Sequence, residues 1–160
     1  MIKESHKIIG INPGTRYLGI AVLYGQELMD WRIKVLAGKW KEEKIRRAIG
    51  IVSDLIERYE PDILAIKELH PARRTARILR LANEIRDFAR RKRLKVYQYS
   101  IKDIEKRFVK GERLNKWNFV EGMVKTYPAI RHEVDRERSR RNPYYIRVFE
   151  AIGLAYTVRS

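Results

Sequence analysis

Apolar positions fall into five short, β-rich runs, and between and after those runs they recur at helical spacing. Lys7–Asn12 and residues 18–24 are β-branched runs separated by Pro13-Gly14-Thr15, a turn made of residues that fix or free the backbone, so this stretch predicts a hairpin. A third strand fits residues 28–36. Ile45, Ala48, Ile49, Val52, Leu55, Ile56 and Tyr59 then mark an amphipathic helix that stops at Pro61. Residues 62–66 are nearly all apolar, the pattern of a strand buried on both faces. Ile78, Leu81, Ala82, Ile85, Phe88 and Ala89 line one face of a second helix, and Lys95–Tyr99 reads as the fifth strand.

Ser100 and Asp103 have capping-box spacing and open a helix carrying Ile101, Ile104 and Phe108. A polar loop at residues 110–113 leads to a helix with Trp117, Val120, Val124 and Tyr127 on its apolar side, ended by Pro128. The charged stretch 131–141 receives no element. Asn142 and Pro143 read as the N-cap and first position of the last helix. The order β-β-β-α-β-α-β-α-α-α predicts an α/β protein with a mixed five-stranded sheet and helices on both faces. No linker divides residues 1–160, so one domain is expected.

Composition narrows the partner. The chain has 160 residues, 36 Lys plus Arg against 20 Asp plus Glu, and no cysteine. Disulfide scaffolds and thiolate zinc sites are excluded. No apolar run approaches the roughly 20 residues that cross a bilayer, and residues 1–5 are too polar to open a signal peptide, so a cytoplasmic protein without a membrane partner is expected. A formal charge of +16 is self-repelling unless a polyanion neutralises it, which points to nucleic acid. Ten basic residues against two acidic ones lie between Arg73 and Lys95. Arg73, Arg74 and Arg77 are expected in the first turns of the second helix, where amides already favour phosphate, and Arg80 is expected to join them on the nucleic-acid surface. Lys110, Arg113 and Lys116 extend the predicted nucleic-acid surface. Tyr144 and Tyr145 are candidates for base stacking, whereas Trp117 belongs to an apolar stripe. His6, His70 and His132 have no metal-ligand spacing.

The segment Ile8-Ile9-Gly10-Ile11-Asn12-Pro13-Gly14-Thr15-Arg16, continuing to Gly19-Ile20-Ala21-Val22, resembles the first hairpin of the RuvC Holliday junction resolvases. YqgF-like nucleases and actin-like ATPases share a related hairpin, but those ATPases need two such domains. The likeness continues at Pro61-Asp62-Ile63-Leu64-Ala65-Ile66-Lys67 and at Phe149-Glu150-Ala151-Ile152-Gly153-Leu154-Ala155. It implies a ribonuclease H-like fold, four-way DNA junctions as substrate, a homodimer, and magnesium in active relatives.

The resemblance also places Asn12, Lys67, Arg147 and Glu150 at the family's four acidic positions. Only Glu150 is a carboxylate. Two-metal phosphodiester cleavage needs several negative charges to hold its ions. With Lys67 and Arg147 as cations the site changes from −4 to about +1, and a like-charge pair 4 Å apart costs on the order of 4 kcal/mol at an effective dielectric near 20. The residues therefore predict a nucleic-acid-binding protein without an intact catalytic or metal site and without a cofactor, favouring branched DNA. Two alternatives stand beside it: a magnesium-dependent junction endonuclease using displaced ligands such as Glu68, Asp103 and Glu150, and a structured-RNA-binding protein. Glu68 neighbours Lys67 on a strand, so both cannot face the same site. Lys67 is expected to pair with Glu150 and to donate to the side-chain carbonyl of Asn12.

Overall fold

A computed structural model describes residues 6–72 and 75–159, with five strands in one sheet. β1 (Lys7–Asn12), β2 (Tyr17–Tyr24) and β3 (Glu27–Val35) run antiparallel in turn, β4 (Ile63–Lys67) lies parallel to β1, and β5 (Lys95–Tyr99) parallel to β4. The order β3-β2-β1-β4-β5 puts β1 and β4 inside, which is why their sequences are near-continuous apolar runs. α1 (Glu42–Tyr59) and α2 (Ala76–Arg91) cover the face that carries Ile9, Ile11, Leu64 and Ile66. The other face packs on α3 (Ile101–Glu105), α4 (Lys116–Thr126), α5 (Arg131–Ser139) and α6 (Ile146–Arg159), around Phe119 and Phe149. The mixed sheet with helices on both faces is as the sequence predicts.

Topology gathers the helix starts at one end. β1, β3, β4 and β5 finish at the same edge, so α1, α2 and α3, each following a strand, begin there. α6 begins there too, because the Arg147 carbonyl lies against Gly19 near the start of β2, and the Ala151 carbonyl lies against Gly10 at mid-strand. A Cβ at Gly10 would run into the Ala151 carbonyl oxygen and one at Gly19 into that of Arg147. Both positions therefore need a missing side chain for close approach rather than for an unusual backbone. α6 is buried almost all round, from Val148 to Val158.

Two expectations for the chain's last third fail. The charged stretch forms α5, and the last helix begins at Ile146, not at Asn142 and Pro143. The cap comes from outside the local sequence. The Glu137 carboxylate, 2 % exposed, accepts from the backbone amides of Tyr144 (3.0 Å), Tyr145 (2.8 Å) and Ile146 (3.2 Å), while Lys116 Nζ lies 2.9 Å away. Unpaired amides at the helix start are thus satisfied by a charge that also suits the helix dipole. The sequence does carry a signal for this: Ile130, Val134 and Glu137 share one helical face, so Glu137 falls on the buried stripe.

Burial alone would raise the Glu137 pKa, but the Lys116 ammonium and the Tyr144 and Tyr145 amides hold it below the ordinary 4.5. A folded-state pKa below the unfolded one contributes stability that is present above pH 4.5 and fades as pH falls through the depressed value. Glu137→Gln should therefore flatten the acid limb of a stability-against-pH curve and lower stability at pH 7 by about 3 kcal/mol, measured by urea unfolding at a series of pH values. Gly10→Ala should cost about 2 kcal/mol in the same assay, because the α6 backbone must move away.

Candidate functional site

Strand ends and α6 bring three sequence-selected residues together. Lys67 closes β4 and its Nζ lies 2.8 Å from Glu150 Oε1, with side chains 26 % and 12 % exposed. Asn12 closes β1, and its Nδ2 donates to the same Glu150 oxygen at 2.8 Å and to the Arg147 carbonyl at 3.4 Å. The Lys67–Glu150 pair is thus the one the sequence predicts. The second half of that expectation is corrected, since Asn12 acts as a donor to Glu150 and not as an acceptor for Lys67. One carboxylate oxygen receives both donors.

Arg147 does not join them. Its guanidinium lies 4.5 Å from the centre of the Tyr17 ring and donates to the Pro143 carbonyl at 2.9 Å, on the outer side of the start of α6. Without it, Lys67 and Glu150 cancel, so the local charge is nearer zero than the +1 counted from the sequence. A residue the sequence reading missed, Glu105 at the end of α3, stands close by. Burial raises its pKa first, the Glu150 charge raises it further, and Lys102 and Lys67 pull it back.

These residues do not fit a pair of divalent ions. An ammonium occupies the space beside Glu150, and both polar neighbours donate toward that carboxylate instead of offering oxygens to a metal. Among the described residues no three His, Asp or Glu side chains converge as a metal site. Glu68 is exposed, and its backbone amide extends the β4 ladder by donating to the Tyr99 carbonyl at 2.8 Å. Asp103 is held in the capping box with Ser100, accepting from its amide at 3.1 Å. The displaced ligands of the nuclease alternative are therefore not gathered around Glu150.

Lys67 also borders a cleft of about 940 Å³, shared with His70, Arg86 and Lys102 and floored by Leu69, Ile78 and Ile101. His70 supports its own turn, its Nδ1 accepting from the Ala72 amide at 3.1 Å.

The predicted nucleic-acid residues divide by their partners. Arg73 and Arg74 lie outside the described residues. α2 starts at Ala76, capped by the Thr75 hydroxyl, so Arg77 stands in its first turn and is exposed. Arg80 forms a two-pronged pair with Glu42 at the start of α1. Lys110 and Arg113 are exposed in the link before α4. Lys116 turns inward to Glu137 and lies 4.7 Å from the centre of the Trp117 ring, which Arg138 approaches at 4.3 Å. Trp117 itself is half-buried against the core. Tyr144 stands edge-on to Tyr17 and Tyr145, with Arg140 over its ring at 4.8 Å.

A mixed sheet in this order, with the last helix laid across β1, β2 and β4, is the ribonuclease H-like fold of the junction resolvases. The family model for the crossover junction endodeoxyribonuclease RuvC matches residues 8–139, and the chain belongs to the RuvC family. The structure of T. thermophilus RuvC in complex with Holliday junction substrate superposes with a TM-score of 0.71 at 16 % identity, covering 95 % of this chain and 91 % of that one. A second T. thermophilus RuvC structure gives 0.71 at 17 % identity, covering 94 % and 91 %. The yeast mitochondrial Holliday junction resolvase Ydc2 gives 0.65 at 10 % identity, covering 98 % and 79 %. No match was found among curated proteins. No helix among the described residues is long and apolar enough to cross a membrane.

The central pair should behave as a coupled unit. Lys67→Met strands the Glu150 charge and should cost about 3 kcal/mol, whereas Lys67→Met with Glu150→Gln should cost less than the single change. A double-mutant cycle by chemical unfolding measures the coupling. Additive costs would mean that the two side chains are independent.

Proposed function

We propose that the protein binds branched DNA of the four-way kind through its basic surface, as a cytoplasmic homodimer, and holds it without cleaving it. The observation that carries the second half is the Lys67–Glu150 pair completed by Asn12: an internal ammonium sits beside the carboxylate that a metal would need. The positive excess and family membership support the first half, and one relative is described as bound to a Holliday junction substrate. The homodimer follows the resemblance to the family, whose two-fold assembly matches a two-fold junction.

Chemically, the protein's own residues supply attraction and shape. Arg77, Lys110 and Arg113 are exposed cations outside the ion pairs of the described residues, free to meet phosphate. Arg80 and Lys116 already hold carboxylates, so phosphate must compete with Glu42 and Glu137 for them. The centre near Lys67 is close to neutral and makes no demand for a metal.

Four-way junction DNA should bind in EDTA with no need for magnesium, with log K falling about 0.9 per phosphate neutralised for each tenfold rise in salt. Competition among junction DNA, linear duplex and structured RNA of equal length should rank the junction first. RNA outcompeting the junction would transfer the reading to structured RNA. Incubation of junctions with magnesium or manganese should yield no nicks, and metal-dependent cutting that disappears in Glu150→Ala would overturn the non-cleaving reading. Combining Asn12→Asp, Lys67→Glu, Arg147→Asp and Glu150→Asp should create manganese binding visible by calorimetry.

A further inference from the structure

Ion pairs hold Lys67 with Glu150, Arg80 with Glu42, Lys116 with Glu137, and Arg131 and Arg138 with Glu121, whereas many exposed cations, Lys110 and Arg113 among them, form no ion pair among the described residues. One unpaired set is drawn together by the fold. On the α1/α2 side of the sheet's carboxyl edge, the Arg16 carbonyl accepts from the Leu36 amide at 2.7 Å, Lys44 and Arg47 from the first turns of α1 reach the Gly38 and Ala37 carbonyls just beyond, and the Arg80–Glu42 pair holds the first turn of α2, with Arg77, against the start of α1. None of the four forms an ion pair among the described residues. Lys44 is 5 % exposed and its ammonium donates to the Gly38 carbonyl at 2.8 Å. Arg47 donates to the Ala37 carbonyl at 2.5 Å, and Arg16 lies 5.7 Å from the centre of the Tyr17 ring. Their partners are neutral. Burial lowers the Lys44 pKa most, and Arg47, Arg16 and Arg77 each lower it further, so the four lie within reach of one another's fields. Of the two acids in the first turn of α1, Glu42 is spent on Arg80, and Glu43 forms no ion pair with any of the four.

Like charges drawn from three separate elements around a buried ammonium repel one another, a cost that the neutral carbonyl partners of Lys44 and Arg47 do not remove. An external polyanion changes that balance. Arg16, Arg47 and Arg77 are exposed and spread across three elements, which suits a ligand with repeated charges more than a single compact anion. The cluster also lies across the sheet from the Lys67–Glu150 pair, since Ile9 and Ile11 face α1 and α2 while Gly10 and Asn12 face α6.

We propose that Arg16, Lys44, Arg47 and Arg77 form a grip for the phosphodiester backbone of a double-stranded DNA arm, on the α1/α2 side and separate from the central ion pair. This rests on the branched-DNA reading above and assigns part of that contact to α1, where sequence inspection finds no motif. Lys44 sets the field from beneath, and the three arginines make the contacts.

The test compares the wild type with Arg16→Gln/Arg47→Gln/Arg77→Gln on a linear DNA duplex, an RNA duplex of equal length and a four-way junction, each across a salt series. Expected is a log–log salt slope shallower by about 0.9 per lost contact, so about 2.7 in all, on both DNA ligands. The thermal unfolding midpoint at low salt should not fall, because repulsion has been relieved, whereas a structural role would lower it. An unchanged slope on DNA with intact wild-type junction binding overturns the grip alone. A wild type that binds no nucleic acid overturns the branched-DNA reading as well. A slope change confined to the RNA duplex overturns the DNA assignment. Should the triple variant fail to fold, Lys44→Met must weaken duplex DNA binding at least threefold at low salt, and unchanged affinity overturns the grip.

Discussion

Everything at the site depends on how closely α6 approaches the sheet. Gly10 and Gly19 bring the helix backbone into contact with β1 and β2, and only then does Glu150 reach the ends of β1 and β4. The helix has no polar face to spare, since its residues from Val148 to Val158 are buried except for the half-buried Tyr156, and its first amides are satisfied by Glu137 from the preceding helix. Close packing, a remote cap and the ion pair therefore act on the same short stretch. Displacing any one of them shifts the others.

The same geometry explains which parts of the protein could be read from its residues. Strands β1 and β4 were legible because a buried interior strand needs a continuous apolar run, and α1 and α2 because one apolar stripe per helix suffices on an outer face. The Lys67–Glu150 contact was legible too, since a core-facing carboxylate demands a partner and the end of β4 offers one. What escaped were interactions fixed by tertiary position. Arg147 is drawn away from Glu150 by the Tyr17 ring on β2, far off in sequence, and donates to the Pro143 and Tyr144 carbonyls just before the helix. The start of α6 was misplaced because Asn142 and Pro143 have the right local chemistry, yet Glu137 supplies a stronger, charged cap four residues farther on. Glu105 and Lys44 carry no motif and acquire their surroundings only on folding.

Charge is distributed by the fold more unevenly than the composition suggests. Glu121 and Glu137 hold Lys116, Arg131 and Arg138 on α4 and α5, whereas Arg16, Lys44, Arg47 and Arg77 at the carboxyl edge of the sheet form no ion pair among the described residues. The starts of α1, α2, α3 and α6 meet at that edge, so backbone dipoles add to the side-chain field. This potential attracts a polyanion whatever the state of the Lys67–Glu150 pair.

The burial of α6 also has a consequence for how the chain comes off the ribosome. All five strands and five of the helices precede it, and they bury one face of the sheet without it only in part. While residues 146–159 are still in the exit tunnel, Ile8, Ala21, Ile63 and Ala65 lack their covering helix, and the Glu137 carboxylate lacks the Ile146 amide. The nascent protein must pass through a stage with a half-covered sheet, a form exposed to self-association until residues 146–159 have emerged and packed.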